Sequence, residues 1–92
     1  MTTFEWATSP RGFANYIYRE DTDELSRAIG IAGVHFYQKH YRVALSYRFN
    51  DLVKPNAYIR KHKYPTLEAA KRAVDRKVPG LVAVLKIQGI QI

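Results

Sequence analysis

Through residues 41–49 the side chains alternate without a break. Tyr41, Val43, Leu45, Tyr47 and Phe49 occupy the odd positions, and Arg42, Ala44, Ser46 and Arg48 the even ones. A strand sends successive side chains to opposite faces, so this period of two predicts a β-strand with one hydrophobic wall and one small, polar, cationic face. The wall needs a covering layer. The cationic face is left for solvent or for an anionic ligand.

The flanking segments supply candidates for that layer. Val34, His35, Phe36 and Tyr37 alternate as well and predict a hairpin partner, while Ala57, Tyr58, Ile59 and Arg60 predict a third strand. Thr66 is a good N-cap for a helix over residues 66–78, whose Leu67, Ala70, Val74 and Val78 form an apolar stripe, with Glu68 well placed in the first turn. Pro79 and Gly80 are expected to end this helix. The apolar, β-branched run of residues 81–87 then predicts a C-terminal strand, either covered on both faces or forming an edge open to a protein partner.

The N-terminal third reads differently. After a short strand or arm at residues 3–7, Ser9 and Pro10 have the order of an N-cap and first helical residue, opening a helix toward Tyr18 with Phe13, Tyr16 and Ile17 on one side. Asp21 and Glu24 have capping-box spacing before Leu25, Ala28 and Ile29, and Gly30 and Gly33 are expected to stop that second helix. The expected fold class is therefore α+β: a three-stranded antiparallel sheet packed on one helix, with added N-terminal helices and a C-terminal strand. In these terms residues 1–92 form one domain, divided into a helical arm (1–32), a core (33–78) and a terminal strand (79–92).

A chain of 92 residues supports a single small core, and a large buried cleft is not expected. Without cysteine there is neither a disulfide nor a thiolate ligand. No window approaches the ~20 apolar residues of a membrane span, and the N-terminus lacks the pattern of a signal peptide, so a cytoplasmic protein without membrane contact is expected. Charge is the more informative property. Residues 1–30 hold five acids against three arginines, whereas the remainder holds twelve Lys or Arg against three acids, within a net charge of +7. Such a field attracts DNA, RNA or a ribonucleoprotein.

Catalytic chemistry finds little support. His35, His40 and His62 do not have the spacing of a zinc site, Ser46 lacks an evident His and acid, and no glycine-rich phosphate loop is present. No catalytic residue, metal or cofactor is expected. Strand parity instead collects one face from His35, Tyr37 and Lys39, then Arg42, Ala44, Ser46 and Arg48, then Tyr58 and Arg60. Its arginines can contact phosphates or guanine edges, and its rings can stack on bases. Lys71, Arg72 and Arg76 face outward on the helix behind the sheet, outside this expected site.

Gly33-Val34, residues 41–45, and Tyr64-Pro65-Thr66-Leu67-Glu68-Ala69-Ala70 continuing through Ala73-Val74-Asp75 resemble an AP2/ERF-type DNA-binding domain over residues 33–75. The chain departs from that family at His62 and Val74 and lacks its sheet tryptophans. The resemblance implies three antiparallel strands on one helix and DNA contact through the sheet. In size and composition the chain is also similar to small phage anti-defence proteins, including anti-CRISPR inhibitors. That similarity implies a host-cell setting in which the same face docks on a Cas–guide RNA complex and blocks target DNA binding.

Overall fold

Period two governs far more of the chain than residues 41–49. The computed structural model describes residues 2–9, 13–53 and 62–92. It contains β1 (Thr2–Thr8), β2 (Ala14–Asp21), β3 (Ser26–Tyr37), β4 (His40–Leu45), α1 (Tyr47–Val53) and α2 (Leu67–Ile87). The strands form one four-stranded antiparallel sheet in sequence order, β1-β2-β3-β4. The expected three-stranded sheet, N-terminal helices and C-terminal strand are thus corrected together. The strand expected at residues 57–60 lies outside the described residues.

Each correction has a local cause. Along β2, Ala14, Tyr16 and Tyr18 are all buried, which only a two-residue period allows; a helix with Phe13, Tyr16 and Ile17 inward would have exposed Tyr18. Aromatic stacking fixes this register, with the Phe4 and Trp6 rings of β1 lying 5.4 Å and 4.6 Å from Tyr16. Asp21 and Thr22 close a turn instead of capping a helix. Ser26 Oγ donates to Asp21 at 2.6 Å, and the Thr22 and Leu25 backbones are joined at 2.7 Å. Gly30 and Gly33 lie inside β3, where the β2–β3 register slips between Tyr16 and Ile17. The extra residue in this bulge is the buried Ile31, and a side chain at Gly33 would meet Ala14 O at 3.4 Å.

The alternation in residues 41–49 crosses a structural joint. Ser46 donates its N–H to Ile31 O at 2.9 Å, completing the ladder, while its carbonyl accepts from Asn50 N at 2.8 Å and begins α1. Phe49 and Val53, four residues apart, then face the core together. Thr66 caps α2 as expected, accepting from Ala69 N at 3.1 Å. The helix nevertheless continues through Pro79 and Gly80 to Ile87. Its buried residues Ala70, Val74, Val78 and Val82 keep a four-residue spacing across the proline, and Leu85 follows. The segment read as a C-terminal strand is therefore the second half of a helix.

Both helices cover the same side of the sheet, and α2 packs on β3 and β4. The buried core combines Tyr16, Tyr18, Val34 and Val43 of the sheet with Phe49 of α1 and the α2 stripe. No described helix is long and apolar enough to cross a membrane.

Pro79 supplies no N–H to the α2 ladder, and a proline in a helix interior costs roughly 3 kcal/mol relative to alanine. Pro79→Ala is expected to raise unfolding stability by about 1–3 kcal/mol in urea titrations. A lowered midpoint would mean that packing of the ring outweighs the missing bond.

Candidate nucleic-acid interface

The sheet side opposite the helices is exposed at Ala7, Asn15, Ala28, Gly30 and Ala44. It is also electrically polarised along the strands. At one end, Asp21, Asp23 and Glu24 surround the β2–β3 turn, whereas the other end carries the β3–β4 hairpin with Tyr37, Lys39, His40 and Arg42. Between these ends, Arg19 is held by Glu5 at 2.9 Å, and its proton is retained more strongly because of that hydrogen bond and charge.

The hairpin end brings several expected site residues together. Arg42 lies directly across from His35, and its guanidinium carbon is 5.6 Å from the centre of the Tyr37 ring. Tyr37 is 55% exposed, leaving ring surface for a ligand. Arg42 Nε is covered and meets no acceptor among the described residues. Shallow concavities of about 270 and 250 Å³ continue from this cluster over Gly30, Gly33 and Ala44, with Asn15, His35 and Ser46 among the lining residues. The small side chains allow a planar group to approach the sheet backbone closely.

Lys39 and Gln38 form the two-residue hairpin turn, with positive φ values of 69° and 50°. Such primed turns favour Asn-Gly, and neither side chain here is suited to the left-handed region. Lys39 is exposed at this turn, and His40 Nδ1 lies 3.1 Å from Gln38 O.

Ser46 lines the far end of that surface, but Arg48 does not join it. Ser46 is the joint between β4 and α1, and Arg48 sits on α1 with Nη2 donating to Gln91 O at 2.7 Å. Arg48 therefore ties the C-terminal tail to the helix side and does not extend the cationic sheet face. Its parity failed because β4 ends at Leu45. Tyr58 and Arg60 lie outside the described residues.

Two polar clusters behind the sheet are internally matched. A concavity of about 280 Å³ contains Glu20, whose carboxyl is held below its usual range by a hydrogen bond from Tyr18, helped by Lys86 and Arg27. Trp6 Nε1 donates to Asp75 at 3.0 Å, and burial followed by the Asp75 charge and hydrogen bond pushes Tyr16 up to about 12. Among the described residues, no group of three or more His, Cys, Asp and Glu side chains could hold a metal.

The chain matches no family model, no curated protein and no solved structure.

Two measurements test this geometry. Lys39→Gly should stabilise the fold by about 1 kcal/mol by relieving the left-handed conformation; no gain in denaturant titration would contradict the turn assignment. Tyr16 has a folded-state pKa above its unfolded value of 10, so its contribution is present below pH 10 and declines as pH rises toward about 12. Tyr16→Phe should therefore show a smaller loss of stability across pH 10–12 than the unaltered chain. An identical loss would assign the transition to other groups.

Proposed function

We propose that this chain is a small binding module for single-stranded nucleic acid, which it holds at the hairpin end of the open sheet face. The observation carrying this reading is the His35–Tyr37–Arg42 cluster, in which a planar cation lies against an exposed ring beside a second aromatic group. Tyr37 and His35 offer stacking surfaces, while Arg42 and Lys39 offer phosphate contacts. Stacking requires unpaired bases, which favours a single strand. Reading a duplex groove across the whole sheet has less support because Arg48 lies on the helix side and Arg19 is already paired. The choice between DNA and RNA depends on recognition of the 2′-hydroxyl, so both sugars belong in the test.

Labelled deoxythymidine and uridine oligomers, with a duplex control, would be titrated by fluorescence anisotropy over a salt series. Binding should weaken with a log-log slope of about −0.7 per phosphate neutralised on a single strand. Tyr37→Ala should lower affinity roughly 5- to 150-fold, the range expected for losing one stacked base. Arg42→Ala should also flatten the salt slope. If both variants bind like the original chain, the hairpin face is not the site. Failure of all probes, combined with capture of a nuclease-resistant protein partner, would replace this reading with an inhibitor that docks on a nucleoprotein complex.

A further inference from the structure

The positive charge of the helix side meets the hairpin at one edge of the sheet. Tyr64 forms an antiparallel bridge to Tyr41 on β4, with reciprocal N–H to carbonyl bonds of 2.9 Å. The segment carrying His62, Lys63 and Tyr64 therefore meets the outer edge of β4 at Tyr64. Lys63 precedes Tyr64 and is exposed, and Arg42 follows Tyr41 on β4. His62 and Tyr64 share the other parity and line a concavity of about 400 Å³ with Ala69, Arg72, Ala73 and Arg76 of α2.

This cleft is built in a way that suits an anion. Ala69 and Ala73 leave its floor low, while Arg72 and Arg76, one helical turn apart, are exposed beside it. Neither arginine has a carboxylate partner within ion-pair distance among the described residues. This distinguishes them from the neighbouring Lys71, whose ammonium lies 5.2 Å from the Trp6 ring centre, and from Asp75, which accepts from Trp6. The His62 and Tyr64 rings meet edge-on with centres 6.2 Å apart and line the cleft together with the two arginines.

Aromatic surface also continues around the hairpin. Phe36 is 59% exposed and its ring centre lies 4.9 Å from that of Tyr41, the residue bridged to Tyr64. Phe36 and Tyr41 are on the helix side of the sheet, whereas Tyr37 and Arg42 are on the open side. Rings and cations thus occur on both sides of one edge. The Tyr41–Tyr64 bridge thus joins the strand that carries Arg42 to the wall of the arginine cleft.

We infer that the Arg72–Arg76 cleft is a second phosphate-binding station for the same nucleic-acid strand, which crosses the β4 edge from the open sheet face to the helix side. This inference rests on the proposed single-strand function and adds a direction and a second contact. Arg72 and Arg76 hold backbone phosphate, while Tyr64 and His62 border the path of the adjoining nucleotide. A short strand occupies the Tyr37–Arg42 station alone. A longer strand reaches both stations.

The test uses the full chain with fluorescent single-stranded deoxythymidine oligomers of about four and about sixteen nucleotides, limits that span known single-strand site sizes. Arg72→Ala/Arg76→Ala should weaken binding of the long probe at least tenfold and make its salt slope less steep by about 1.4, equivalent to two phosphate contacts. Binding of the short probe should be unchanged, but Tyr37→Ala should weaken both probes. Arg72→Lys/Arg76→Lys should restore most of the salt slope. Circular dichroism establishes that each variant retains its fold. Unchanged binding of the long probe by the double alanine variant, or equal loss for both lengths, would overturn the two-station path while leaving the hairpin function standing. Failure of the unaltered chain to bind either length would overturn the function as well.

Discussion

One-sided burial of α2 is the constraint on which the rest of the structure depends. Ala70, Val74, Val78, Val82 and Leu85 place a continuous apolar stripe against the sheet, and α1 adds Phe49 and Val53 to the same core. Removing such surface from water contributes roughly 1.5–3 kcal/mol for each fully buried large aliphatic side chain. That gain helps maintain the helix through Pro79. Among the described residues no helix covers the opposite sheet face, so the side chains there can meet a ligand without dismantling the core.

Electrostatics divides the fold in another direction. Glu5, Glu20 and Asp75 engage nearby cations or donors, leaving the hairpin and the β4 edge with cations that have no carboxylate partner within ion-pair distance among the described residues. The Arg42–Tyr37 contact joins charge and ring surface on one side, while Arg72 and Arg76 border rings on the other. Net charge alone would attract polyanions to any cationic surface. The spatial pairing of cations with exposed aromatics supports a more specific interaction with bases and phosphates.

Several features were legible in the sequence because one physical signal dominated locally. Alternation around Val43 identified β4 and placed Arg42 on the face of His35 and Tyr37, while Thr66 marked the start of α2. Glycine and proline were less transparent. Gly30 and Gly33 accommodate an irregular strand, and Pro79 is carried inside a helix by buried residues on both sides. Tyr16 was compatible with either period until the burial of Tyr18 selected two over 3.6. The Arg72–Arg76 cleft was harder to foresee because it depends on the long-range bridge between Tyr41 and Tyr64. The signal available was a pair of arginines one turn apart near a His-x-Tyr sequence.

The order of the strands has a consequence for how the chain reaches its folded form. Among the described residues, each of the four strands pairs with its neighbour in sequence, without a crossover. Such local connectivity keeps loop closure short and lowers contact order, which favours rapid folding for a mixed α/β chain. α2 packs on a surface shared by β3 and β4, whereas each hairpin pairs strands that are adjacent in sequence. The fold therefore combines sequence-local pairing among strands with a longer-range contact in which α2 spans β3 and β4.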